Sequence, residues 1–435
     1  MKTYRGAPAA ARNYVESDRS RADDYYLSEG SGVAQRYVAT RAGGVESAGS
    51  LSGDAYEAWV AGVDPDTGVP RGRLRHDDKA VRFVEVVING PKSWSLAAEL
   101  QPDIAAAYDA AQERAAEQII AWLAQHATTR VGPRGQQVQV PLERVEAVTV
   151  RHYTSRAGDP HRHLHVQINA RVFAAGAWRG LHTVGVRDSL DAVNGIGHAA
   201  VATDPQFRAA LAGHGFTLDH ASGEVEQLAP FVGAFSARAA QIGRNLKRLE
   251  ADWSAAHPGQ TPGPGLRRSW DAQAWAMGRP DKIRTVLGTV LTDRWRRMLR
   301  ELGYVDPPAP GPSGQHRGGW VPIGLLDRDQ VAGEVLTRLA ARRSGWNAAD
   351  IRGEVEQLLA RRGIVTAAFV RDELAEDLTA RAIEACVPLL DRPGLPEHIR
   401  ALTSPQVLEV EADVVGRLAA RGQATPKRPK VGGAD

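Results

Sequence analysis

The chain has 435 residues, 43% hydrophobic and 24% charged, a balance that fits a folded globular protein of two to four domains. No run approaches the roughly 18 apolar residues of a spanning helix, and the opening MKTYRGAPAAARNYVES lacks the apolar core of a secretory signal, so the expectation is a cytoplasmic chain without membrane insertion. The one cysteine, Cys386, excludes an internal disulfide and a cysteine-built zinc or iron–sulfur site, and the net charge of +3 is skewed, at +5 over residues 1–300 against −2 beyond, which permits nucleic-acid binding without establishing it.

Residues 1–80 read as irregular, with helical stretches near 9–18 and 54–60; MKTYRGAPAA reads poorly as a strand. Residues 80–89 (AVRFVEVVIN) read as a buried strand. Gly90-Pro91 ends it, and Ser93 is placed to cap one helix running to about residue 126. Strands follow at 138–140, 145–152 and 163–173, then helices near 191–213, 235–256, 269–277 and 285–302. Residues 306–319 (DPPAPGPSGQHRGG) form a Pro/Gly-rich break. Helical segments at 329–343, 348–362, 366–390 and 404–421 come after it, and 424–435 reads as a disordered tail. No complete GxxxxGK[ST] phosphate loop is present.

The chemistry concentrates in residues 151–173, RHYTSRAGDPHRHLHVQINARVF. Strand side chains alternate with period two, so His163, His165, Gln167, Asn169 and Arg171 share one face, and Leu164, Val166, Ile168, Ala170 and Val172 share the other, which is apolar. His152 ends the preceding strand, and a short loop returns the chain antiparallel beside it. Three neutral imidazoles then meet at one point with coordination positions left open, as a catalytic metal site needs. The alternative is a set of polar residues on a solvated sheet face. Tyr14, Tyr25 and Tyr26 are three of only nine tyrosines, all within the first 26 residues. A phenol next to a metal-bound phosphate can attack phosphorus and form a phosphotyrosine, whereas tyrosines in a helical stretch also serve as packing residues.

These pieces resemble the MobF class of conjugative relaxases, the TrwC/TraI-like members of the HUH endonuclease superfamily. The resemblance rests on N-terminal tyrosines, on the strand leading into Pro91-Lys92-Ser93-Trp94-Ser95, and on His152, Thr154-Ser155-Arg156, Asp159-Pro160, His163 and His165, and it spans about residues 9–305. It implies an α/β fold with a central antiparallel sheet and packed helices (an HUH relaxase palm, RRM-like), with a helical C-terminal region. The expected layout is a relaxase domain at 1–305, a linker at 306–319, a helical domain at 320–423 similar to the region joining relaxase to helicase, and the tail. By resemblance, His152, His163 and His165 hold a divalent metal. Mg²⁺ or Mn²⁺ would be the ion in use, while all-imidazole ligation also suits Zn²⁺ or Ni²⁺. Tyr14 aligns with the first nucleophile, and Tyr25 and Tyr26 with a second pair serving a later transfer. Glu85 stands where the family has aspartate and would orient a ligand histidine or help take the tyrosine proton. Lys92, Arg156 and Arg171 are candidate phosphate contacts, and Trp94 and Trp178 candidate stacking partners for bases.

The implied activity is site- and strand-specific nicking and joining of single-stranded DNA at a plasmid origin of transfer. The implied partners are single-stranded and hairpin DNA at that origin, relaxosome accessory proteins and a type IV secretion coupling protein, with passage to the recipient cell. Two other readings use the same residues differently: a rolling-circle replication initiator, and a three-histidine metal-dependent hydrolase that would not need the tyrosines. A third, a catalytically silent DNA-binding protein, needs no metal.

Overall fold

The computed structural model describes residues 1–18, 34–75, 77, 79–155, 157–278, 288–308, 322–392 and 395–424; for 14–18, 288–289 and 422–424 it describes the backbone alone. Tyr25, Tyr26, Arg156 and most of the Pro/Gly-rich break lie outside the described residues.

Ten strands position the site. They are β1 (Lys2–Tyr4), β2 (Ala34–Thr40), β3 (Gly44–Leu51), β4 (Phe83–Asn89), β5 (Thr128–Val131), β6 (Val138–Pro141), β7 (Arg144–Thr154), β8 (Pro160–Asn169), β9 (Arg171–Ala174) and β10 (Ala177–Gly180). Six of them run β1-β4-β8-β7-β2-β3, with β9 joined to β7 and β10 to β9, and every pairing is antiparallel. β5 and β6 pair separately. The expected central antiparallel sheet is therefore present, with β8 and β7 at its centre, where both neighbours fix their register.

The N-terminal residues correct the sequence reading. Lys2–Tyr4 do form a strand, paired with Glu85, Val84 and Phe83 of β4. β2 and β3 also arise inside the stretch read as irregular, joined by a turn at Thr40–Gly44. The expected 163–173 strand starts earlier and breaks at Ala170, giving β8 and β9.

The helices of the sheet-bearing part are α1 (Pro8–Asp18), α2 (Gly53–Ala61), α3 (Lys92–Leu100), α4 (Pro102–His126), α5 (Thr183–Asp188), α6 (Leu190–Ala202), α7 (Pro205–Gly213), α8 (Ala237–Ala256), α9 (Pro264–Ala276) and α10 (Gly288–Glu301). The single helices expected over 93–126 and 191–213 are each divided. Pro102 starts a new helix after Gln101, and Asp204 caps α7 by accepting from the backbone N–H groups of Gln206 and Phe207. Ser93 does not cap α3, whose N-cap is Pro91. Instead its hydroxyl donates to Glu224 and accepts from Val225 N–H at 2.9 Å, tying α3 to the turn at 219–225.

The sheet faces differ. On one, Val84, Val86, Ile88, Leu164, Val166 and Ile168 pack with α4 and α6 in the main core. On the other, Phe83, Val148 and Val150 lie under α1 and α2, packed with Ala11, Tyr56 and Trp59. The second face thus passes from an apolar patch under two helices to the histidines.

Beyond residue 322, α11 (Arg328–Ala340), α12 (Ala348–Arg361) and α13 (Ala368–Glu384) share their own core around Val335, Trp346, Ile351, Val355 and Leu378. α14 (Pro405–Ala424) closes the described chain. α12 packs on α6 so closely that a Cβ on Gly353 would overlap Asp191 O, and one on Gly195 would overlap Gly353 O. Asn347 donates to Asp188 O at 3.0 Å, adding a polar tie between the two parts. No described helix is long and apolar enough to cross a membrane.

Candidate metal centre

The TSRAGDP stretch after His152 acts as a shaped return loop. Ser155 N–H donates to Asp159 O at 2.9 Å, and the Ser155 hydroxyl accepts from Ala157 N–H and Asp159 N–H. Gly158 sits at φ +76°, in the left-handed region that a side chain would strain. Trp295 of α10 donates to Gly158 O at 3.0 Å from outside. The loop sets His152 directly opposite His163 across the β7–β8 pair.

His165 lies two residues further along β8, on the same face. One ligand nitrogen from each of His152, His163 and His165 falls within 4.8 Å of the others, and the ring centroids are 4.9–5.3 Å apart. The donor set is chemically sound for a divalent ion, because His163 and His165 each place Nδ1 against an oxygen acceptor that fixes the tautomer. His163 Nδ1 donates to His161 O at 2.7 Å, which frees its Nε2 lone pair. Burial, with His161, His165 and His152 adding repulsion, holds the His163 pKa well below its usual value. His161 stacks on His163 with centroids 4.5 Å apart, and burial together with nearby Lys92 lowers its pKa to about 3. An imidazole that resists protonation, as His163 does, keeps its lone pair for a metal.

Glu85 lies on β4, opposite Gln167, with Val87 opposite His165. It is 7% exposed, and its Oε1 is 3.3 Å from His165 Nδ1. That contact is electrostatic rather than a well-aligned hydrogen bond, and it is the polar partner Nδ1 faces in this pocket. Burial alone would raise the Glu85 pKa, but His165, Gln167 and Lys2 outweigh it and hold the carboxyl below its usual range.

Of the other residues picked from sequence, Tyr14 falls on α1, the helix whose Ala11 packs over the same sheet face. Lys92 is the first residue of α3, and its Nζ donates to Pro160 O at 2.7 Å, beside the loop; burial lowers its pKa to about 8. Arg171 spends two N–H groups on the carbonyls of Arg71 and Trp178, so it ties loops together below the site. The Trp178 ring packs against the guanidiniums of Arg71 and Arg144, whose carbons lie 5.1 and 5.7 Å from its centroid. Trp94 is 1% exposed among Tyr108, Phe207 and His198, so it is a core residue and no base can stack on it.

The sequence reading passed over the support behind the histidines. Arg162, between His161 and His163, points to the face expected to be apolar and is 2% exposed. Its Nε meets Glu99 at 3.2 Å and its Nη1 meets Asp109 at 2.9 Å. Arg151, beside His152, meets the same Asp109 at 3.0 Å and Glu113 at 2.7 Å. The residues flanking two of the three histidines are thus ionically pinned to α3 and α4.

The sequence matches the TrwC relaxase family over residues 8–302. No curated protein sequence matches it. Among solved structures, it is similar to a copper-bound complex of the conjugative relaxase TrwC with oriT DNA, with a TM-score of 0.50 and 22% identity over 70% of this chain and 98% of that one. A metal-bound complex of the same relaxase with oriT DNA gives a TM-score of 0.49 and 22% identity over the same shares. TrwC complexed with a 27-mer DNA comprising the recognition hairpin and the cleavage site gives 0.47 and 21% identity over 68% of this chain and 96% of that one. The family match covers more than half of the sequence, including the return loop and all three histidines, and the chain belongs to the TrwC relaxase family, the MobF class of DNA relaxases.

Proposed function

We propose that this chain nicks and rejoins single-stranded DNA at a plasmid origin of transfer, through a covalent 5′-phosphotyrosine. The observation that carries the reading is the convergence of His152, His163 and His165 beside Glu85, on the sheet face over which the Tyr14 helix packs. The three imidazoles would hold a divalent ion, which supplies charge stabilisation at the non-bridging oxygens of the scissile phosphate. Glu85, 3.3 Å from His165 Nδ1, would orient that ring and leave Nε2 as its ligand atom. Tyr14 Oη attacks phosphorus, the P–O3′ bond breaks, and the departing oxygen takes up a proton while the phenol gives one up, with Glu85 as a candidate acceptor. The 5′ end stays on the tyrosine as a phosphodiester, and attack by a 3′-hydroxyl reverses the step. Tyr25 and Tyr26 are the nucleophiles for a second transfer. Lys92, beside the return loop, and Arg156 contact phosphates.

The TrwC complexes contain oriT DNA, one with its recognition hairpin, which supports hairpin and single-stranded DNA as partners here. The remaining parts of the reading are a cytoplasmic site of action, relaxosome and secretion-coupling partners, and a C-terminal helical region that joins the relaxase to further domains in longer relatives.

The test is cleavage of labelled oligonucleotides from the cognate transfer origin with Mn²⁺ or Mg²⁺, read as a protein–DNA adduct and mapped by mass spectrometry. An adduct on Tyr14, lost with chelator and with His163→Ala, is expected. An adduct on Tyr25 or Tyr26 would keep the chemistry and move the first nucleophile. Metal bound with no adduct on any origin strand would overturn the reading in favour of a hydrolase.

A further inference from the structure

We propose that Gln167 and Tyr56 are positioning residues for the metal ligand His165, acting on it through Glu85. This rests on the proposed metal role of the three histidines.

Gln167 is 1% exposed and shares the histidine face of β8 with His163 and His165. Its cross-strand neighbours are Glu85 on β4 and Val148 on β7. An amide buried next to Phe83, Val148 and Tyr56 is costly unless hydrogen-bonded, and packing alone would favour an apolar residue there. Both ends of the amide are in fact used. Nε2 donates to Glu85 Oε2 at 3.2 Å, and Oε1 accepts from the Tyr56 hydroxyl at 2.7 Å. Tyr56 comes from α2 and is 1% exposed, with its ring held against Trp59.

The orientation of the whole chain of groups follows from chemistry. An ionised carboxylate can only accept, so the amide must turn its NH₂ toward Glu85. Its carbonyl oxygen then faces Tyr56, and the phenol must donate. With Oε2 held by Gln167, Oε1 of Glu85 is presented to His165 Nδ1, 3.3 Å away. A carboxylate there keeps the proton on Nδ1 and leaves the Nε2 lone pair for the ion. The relay therefore carries the position of α2 into the tautomer and angle of one ligand. Without it the Glu85 side chain could rotate off His165, whose ring would then lose the carboxylate that orients it.

The experiment is calorimetric titration of the full chain with Mn²⁺ alone, without DNA, on the wild type, His163→Ala, Tyr56→Phe, Gln167→Leu, Glu85→Ala and Tyr56→Phe/Glu85→Ala, with melting temperatures of the metal-free proteins alongside. Gln167→Leu should weaken Mn²⁺ binding roughly ten- to a hundredfold, in the range typical of groups that orient a ligand. Tyr56→Phe, which keeps the ring and its packing, should weaken it several-fold. In the Glu85→Ala background Tyr56→Phe should have no further effect, because the route through Glu85 is already cut. A purely structural role would lower melting temperatures and leave this coupling at zero. Mn²⁺ affinities of Tyr56→Phe and Gln167→Leu within twofold of wild type, or additive losses in the double variant, overturn the inference while the metal reading stands. Wild-type protein that binds no Mn²⁺, or binds it equally well as His163→Ala, overturns both.

Discussion

Arg162→Leu tests whether the histidine strand is clamped from behind. The guanidinium is 2% exposed and its partner Glu99 3%, so that pair is buried on both sides, while Asp109 is 24% exposed. Removing one member of a buried pair costs about 3–5 kcal/mol, because the other charge keeps its desolvation without its partner. Here Asp109 retains Arg151, and Glu99 retains the Thr292 hydroxyl at 3.1 Å, so the lower end, about 3 kcal/mol, is the better figure. Stacking of the guanidinium on Tyr153, 4.6 Å from its ring centre, adds roughly 0.5–1 kcal/mol. Together that is about 3.5–4 kcal/mol, which for a cooperative unit of about 300 residues is a fall in melting temperature of roughly 5–7 °C. The assay is thermal denaturation by circular dichroism in chelator, so that bound metal does not mask the loss. Adding Glu99→Gln and Asp109→Asn to Arg162→Leu should recover part of the fall, since neither carboxylate is then left charged without Arg162, and Arg151 keeps Glu113 at 2.7 Å. The reasoning is refuted if Arg162→Leu melts within about 2 °C of wild type, or if the triple variant melts no higher than the single one.

Gly353→Val should drive α12 from α6 and cost about 1–3 kcal/mol, read as faster amide exchange along α12; Gly333→Ala, whose added Cβ meets no atom within 4 Å, should leave exchange unchanged. The sign for stability is opposite to that of a salt-bridged histidine: below pH about 6.5 the unfolded chain binds more protons than the folded one at His161, His163 and His182, whose pKa burial lowers to about 4. Metal-free stability should therefore decline as pH falls from about 6.5 toward 4, which urea titrations at stepped pH would measure. Lys92 is charged below its pKa of about 8, so binding of single-stranded DNA should weaken from pH 7 to pH 9 more in the wild type than in Lys92→Arg.

The histidine strand was legible because its signal is local: spacing two on β8, a loop rich in turn residues, and an apolar run at Leu164, Val166 and Ile168. Two of the missed strands, β1 and β3, carry no such signal. β3 (GVESAGSL) is exposed along most of its length, and β1 is three residues long, so both exist because β2 and β4 offer them an edge. Arg162 was invisible for a different reason: its partners, Glu99 and Asp109, lie 63 and 53 residues away, and only the packing of α3 and α4 on β8 brings them there. Trp94 shows the limit in the other direction, since an aromatic next to the Pro91-Lys92-Ser93 turn reads the same whether it stacks on a base or fills the core.

The placement of the histidines on β7 and β8 follows from what register must do here. His152 and His163 face one another, and His165 stands two residues on, so a slip of one residue in either strand would turn imidazoles into the core and Leu164 or Arg151 out. An edge strand resists such a slip on one side; β8 is paired on both, with β4 supplying Glu85 and β7 supplying His152. The two faces then guard against the slip in different ways. On the core side, Val84, Val86, Leu164 and Val166 would lose burial, and Arg151 and Arg162 would leave the shared carboxylate of Asp109. On the histidine side, Gln167 would leave Tyr56 and Glu85 together. A three-imidazole cluster has no covalent link of its own between strands, so its geometry is set by these neighbours before any ion arrives, and the residues flanking each histidine carry as much of the site's shape as the histidines themselves.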